Sequence, residues 1–182
     1  MHASIADVIV DIVQNSIEAN ATHVELTIVT NPDRLMVTVK DNGKGMDATQ
    51  LKRAFDPFYS EPGKHDKRRV GLGLPLLIQM VEQTGGQTDI TSTPNLGTTV
   101  SFWCDQHHPD IPPLGDLPLA LVSLMAYPSN CEISLARFNG NNSYDVTKSE
   151  LVEALGSLEE PANLTLSRRF FKSQEESLYE EQ

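Results

Sequence analysis

Apolar residues Ile5, Val8, Ile9, Ile12, Val13 and Ile17 recur every three or four positions, with Asp7, Asp11, Asn15 and Glu18 between them. That period predicts an amphipathic helix over residues 4 to 20. The period then shortens to two. Two runs rich in β-branched residues, His23 to Thr30 and Leu35 to Lys40, flank Asn31-Pro32-Asp33 and predict a hairpin. Asp41 to Asp47 reads as a glycine-containing loop and residues 48 to 55 as a short helix. Residues 56 to 70 are polar, broken by proline and glycine and without period, so a long loop is expected there. Helical spacing resumes from Leu74 to Gln83 and stops at Gly85-Gly86, where a left-handed cap forms easily. Strands are expected at residues 87 to 92 and 98 to 104.

A proline-rich stretch, HHPDIPPLGDLP, begins at His107 and reads as a linker. Beyond it come an apolar stretch (Leu117 to Ala126), a hairpin (Cys131 to Phe138 and Ser143 to Val146) turning at Asn139-Gly140-Asn141-Asn142, and two helical segments. The final SQEESLYEEQ is expected to be a frayed, solvated helix end. The expected organisation is residues 1-106, a linker at 107-115, and a small α+β unit at 116-182.

Charge narrows the function classes. The 182-residue chain carries a formal net charge of -11, spread along its length. A phosphate backbone or an anionic membrane surface would be repelled on average, so nucleic acid and membrane are not expected partners. No run approaches the ~20 apolar residues of a membrane span. The N-terminal stretch lacks a basic n-region, and Asp7 and Asp11 interrupt its hydrophobic run, so no signal peptide is expected. A cytoplasmic protein is expected. The two cysteines, Cys104 and Cys131, have neither metal-site nor disulfide-framework spacing and read as core thiols.

Three groups of residues carry candidate chemistry. Asp11 and Asn15 lie four apart on the polar face of the first helix, with Cβ atoms about 5–6 Å from each other. An amide oxygen at Asn15 suits the oxygen shell of Mg²⁺, and a carboxylate at Asp11 could accept a proton from a nucleophile, although such pairs are common on wet helix faces. Asp41-Asn42-Gly43-Lys44-Gly45-Met46-Asp47 directly follows a strand. Ionised Asp41 accepts only, which suits the adenine amine, and Gly43 and Gly45 let backbone pass close to a flat ring; the same dipeptides also make ordinary turns. Gly71-Leu72-Gly73-Leu74 opens a helix, where free backbone N–H groups and positive potential suit a phosphate chain. Upstream, Lys64, Lys67, Arg68 and Arg69 put four of the 14 basic residues into six positions. In a loop entering a phosphate site they could neutralise polyphosphate.

In order and spacing these groups resemble the GHKL superfamily of ATP-binding domains over residues 5 to 104. DIVQNSIEANAT resembles its N box, DNGKGM and GLGL its two glycine boxes, FDPFYS the start of its lid, and GTTVSF its closing strand. The resemblance implies ATP and Mg²⁺ as cofactors. It implies Mg²⁺ ligation by Asn15, adenine recognition by Asp41, ring clearance at Gly43 and Gly45 beside Met46, and phosphate contacts from Gly71, Leu72, Gly73 and Leu74. It further implies that Thr99 or Thr98 approaches the adenine edge through water, with residues 56 to 70, including Lys64, Lys67 and Arg68, as the lid. The implied fold is α+β: a two-layer α/β sandwich of the Bergerat type, with a mixed, mostly antiparallel sheet and helices on one face. ATP-hydrolysing members usually carry Glu where this chain has Asp11, and no histidine here resembles a phosphoacceptor box. Three functions therefore stay open: a kinase acting on a separate protein, an ATPase switch using Asp11, and a nucleotide-responsive module without turnover. The unit after residue 115 is expected to contact an unidentified protein partner or form a homodimer.

Overall fold

The computed structural model describes residues 4–55 and 73–180. Helix α1 (Ile5–Glu18) buries Ile5, Ala6, Val8, Ile9, Ile12, Val13 and Ser16, the stripe its period predicts. Its first turn is satisfied twice over. The Ser4 hydroxyl accepts from Asp7 N–H, while Ile5 and Ala6 N–H donate to the carbonyls of Pro113 and Leu114 at 3.0 and 2.9 Å. The proline-rich segment is thus a strap pinned across the helix N-terminus.

Strands β1 (His23–Thr30) and β2 (Arg34–Asp41) form the expected hairpin, followed by α2 (Ala48–Ala54), α3 (Gly73–Gln83), β3 (Gln87–Thr93) and β4 (Gly97–Asp105). Then come α4 (Leu117–Met125), β5 (Glu132–Asn139), β6 (Asn142–Thr147), α5 (Lys148–Leu155) and α6 (Pro161–Ser177). The strands make one six-stranded sheet in the order β3-β4-β2-β1-β5-β6. Pairing is antiparallel except between β1 and β5, which run parallel from His23 opposite Glu132 to Thr30 opposite Asn139. The C-terminal strands therefore extend the first sheet. Alternate positions such as Leu26, Val39, Val100 and Leu135 belong to one hydrophobic cluster that also takes in Ile9, Leu121 and Phe171. In α4, Leu117, Leu121, Val122, Leu124 and Met125 are buried, so its apolar run is core. Both cysteines are buried free thiols. Among the described residues, no helix is long and apolar enough to cross a membrane.

Of the segment expected to fray, the described part, residues 173 to 180, is docked instead. Arg137, on the helix-facing side of β5, has 0% side-chain exposure and pairs with Glu175 of α6 at 3.2 Å. Its guanidinium also donates to Thr30 Oγ1 and the Phe138 carbonyl, and Tyr144 Oη donates to Glu175 at 2.7 Å. Asn139 and Asn142 amides donate to the carbonyl of buried Leu178. Local sequence showed a run of charge; a long-range ion pair and an amide clasp decide the end.

Candidate functional site

Asp41 ends β2 on the face that packs beneath the helices, opposite Val24. It is only 9% exposed. Its carboxylate is held by three donors: Ser16 Oγ at 2.8 Å, Gly43 N–H at 2.8 Å and Thr98 N–H at 3.3 Å. A carboxylate has about four acceptor positions, so capacity remains for another donor.

The loop after Asp41 is fixed by Asn42, whose Oδ1 accepts from Thr22 and His23 N–H, both at 2.9 Å. Gly45 has φ +61°, and a Cβ there would sit 2.0 Å from the Thr93 carbonyl oxygen. At Gly43 it would meet the Ala19 carbonyl oxygen at 2.8 Å. Both glycines thus let backbone meet backbone where the loop passes α1 and the β3–β4 turn. Met46 N–H donates to Ser92 Oγ at 2.8 Å, and that hydroxyl contacts Thr98 Oγ1 at 2.8 Å. Of the two candidate threonines, Thr98 shares Asp41's face and edge. Thr99 stands opposite Lys40, so its side chain emerges on the other face of the sheet.

The helix candidates converge on the same end. Asn15 is exposed near the C-terminus of α1, one turn beyond half-buried Asp11. A Cβ at Gly73 would lie 3.5 Å from the Asn15 amide nitrogen, so the start of α3 adjoins that side chain. Leu74 follows and packs against the core. The tertiary fold thus brings Asn15, Asp41, Gly43, Gly45, Met46, Gly73 and Thr98 together from separate segments. Lys64, Lys67, Arg68, Gly71 and Leu72, with the rest of the expected lid, lie outside the described residues.

Sequence reading assigned no role to Ser16, Asn42, Ser92 or Gly97. Ser16 did carry a signal: it is a polar residue on an otherwise apolar stripe. Gly97 has φ +116°, and a Cβ there would fall 1.8 Å from the Asp41 carbonyl oxygen. Nothing local announces that contact.

A buried carboxylate held by a hydroxyl and two backbone amides thus lies beside an exposed helix-borne amide and a glycine-opened helix start, at one end of an α+β sandwich. A family model described as histidine kinase-, DNA gyrase B- and HSP90-like ATPase matches residues 2–108, and the chain belongs to that family. It contains an ATP-binding domain of the histidine-kinase type. The sensor histidine kinase YxdK of Bacillus subtilis (strain 168) is 34% identical over 95 residues, 50% of this chain and 29% of that protein. The sensor histidine kinase ZraS of Klebsiella oxytoca is 43% identical over 70 residues, 38% of this chain and 14% of that protein. The chain thus spans less than a third of either relative. A solved structure described as the N-terminal domain of a DNA repair protein shares the fold with a TM-score of 0.55 and 16% identity, covering 80% of this chain and 52% of that one.

Proposed function

We propose that this protein binds Mg-ATP at the Asp41 end of its sheet and transfers the γ-phosphoryl group to a residue of a separate protein. The observation that carries the reading is the meeting of Asn15, Asp41 and Gly73 around one end of α1. The donor set fits the cofactor. The carboxylate of Asp41 matches an adenine amine, the amide oxygen of Asn15 matches a hard cation, and the N–H groups opening α3 match phosphate oxygens. ATP, when bound, supplies the transferable phosphoryl group, and Mg²⁺ offsets its charge. The chain's residues then bind and orient. Ser16 and Thr98 N–H hold Asp41 in its rotamer, Asn15 marks the cation position, and Lys64, Lys67 and Arg68 supply positive charge.

A separate acceptor is favoured by the sequence, in which none of the five histidines resembles a phosphoacceptor box. A second reading is hydrolysis, with Asp11 activating water; it is supported by the carboxylate lying one turn from Asn15 on the same helix. Incubation with γ-labelled ATP and Mg²⁺ separates the two. Label on a partner protein supports transfer, free phosphate abolished by Asp11→Asn supports hydrolysis, and tight ATP binding with neither refutes both. Asp41→Asn replaces one acceptor oxygen with a donor and is expected to weaken ATP binding about tenfold or more. Unchanged affinity in calorimetry would remove Asp41 from the adenine site.

A further inference from the structure

We propose that the outer face of the sheet, opposite the helices, docks a basic amphipathic helix from a partner protein. Register lines up one apolar row across four adjacent strands: Val29 stands opposite Phe138 of β5 and opposite Met36 of β2, and Met36 stands opposite Trp103 of β4. These side chains alternate away from the buried parity, and Phe138 is 39% exposed. Arg34 lies over the Trp103 ring at 4.0 Å. Aromatic residues, Met and Arg are the types enriched where proteins meet.

Shape and charge select the occupant. Four strands about 4.8 Å apart make a row about 14 Å long, which ten residues of helix would span at about 1.5 Å each. The row beside it is small and polar in the middle, where Thr27 stands opposite Ala136 and Thr38. It ends in exposed acids on the two edge strands, Asp145 of β6 and Asp89 of β3. A helix with an apolar stripe and Lys or Arg on its flank would fill the low floor and meet an acid at each end. A second copy would bring the same acids and the same net charge of -11 against this face, which disfavours it. The row joins strands of the ATP-binding region to a strand from beyond residue 108, so neither segment forms it alone.

Trp103 is the sole tryptophan, so its fluorescence reports directly on the row. The probe is a synthetic 18-residue helical peptide with leucines at i, i+3, i+4 and i+7 and flanking lysines. Its control has the same composition with the leucines dispersed around the helix. The patterned peptide is expected to shift Trp103 emission to the blue, to weaken with added salt, and to bind Met36→Lys at least about tenfold less well, as for a central interface residue. Phe138→Ser is the second variant should Met36→Lys melt early. Equal binding of both peptides, or undiminished binding by both variants, overturns the proposal. It is also overturned if the protein alone sediments as a dimer that either variant dissociates, because the occupant is then a second copy.

Discussion

Replacing Glu175 with alanine should destabilise the protein by about 3 kcal/mol, although the residue lies seven positions from the C-terminus of the sequence. The Arg137 side chain is 0% exposed and that of Glu175 12%. Both carboxylate oxygens receive Arg137 Nε, at 3.2 and 3.3 Å, and one receives Tyr144 Oη at 2.7 Å. Removing the carboxylate leaves a guanidinium charge in the core and takes away the tyrosine's acceptor. Breaking a buried pair in this way costs about 3–5 kcal/mol. The contacts that survive, to Thr30 Oγ1 at 2.8 Å and the Phe138 carbonyl at 2.6 Å, place the expectation at the lower end. For a chain of this length that is a fall in Tm of about 6–12 °C. Urea denaturation followed by Trp103 fluorescence and by far-UV circular dichroism would measure it. The two probes should move together, because Arg137 and Trp103 lie in one sheet. Replacing both partners, Arg137→Met with Glu175→Leu, should recover most of the loss, since a well-packed apolar pair avoids desolvating two charges. A loss below about 1 kcal/mol in Glu175→Ala, or a double variant no better than the single, would refute the reasoning.

Gly97→Ala should lower stability by about 2 kcal/mol or more and weaken ATP binding, because its φ of +116° and the Asp41 carbonyl oxygen 1.8 Å from the new Cβ force β4 away from the site. Thermal melting and calorimetry would check both, and wild-type values in each would refute it. Burial pushes the thiols of Cys104 and Cys131 above their ordinary value of 9.0. Burial, then Glu175, pushes Tyr144 above its ordinary 10.0. In the unfolded chain these three acids ionise first, so their stabilisation is complete below about pH 9 and is lost as pH rises beyond it. Lys148, pushed down chiefly by burial, acts in the opposite sense but is one group against three. Denaturation midpoints should therefore fall from pH 9 upward, and native thiols should react with a disulfide reagent at pH 8 far more slowly than unfolded ones. A flat midpoint to pH 10.5, or equal reaction rates, would contradict the burial argument.

Much of the architecture was legible because its signals are local. The stripe of α1, the alternation in β1 and β2, and the glycines closing α3 each repeat within a few residues, and each element forms within a residue or two of its expected bounds. The candidate site was legible as three motifs whose residue types suit adenine, cation and phosphate. Their partners were less so. Ser16 was visible only as a break in an apolar stripe, and the choice between Thr98 and Thr99 depended on the pleat, where one step along β4 changes the face.

By itself, the sequence determined the elements and the acidic character that disfavours nucleic acid, since composition and periodicity act over short spans, and its ordered motifs carried the resemblance to an ATP-binding family. Only the tertiary structure decided that Asn15, 58 positions before Gly73, adjoins it, that Gly97 is packed against Asp41, and that the C-terminal strands extend the first sheet. It also decided that Arg137 is satisfied by an acid 38 residues further on. Such contacts depend on which chain segments become neighbours, and no local preference encodes that; they form when burying one core leaves every polar group inside it in need of a partner.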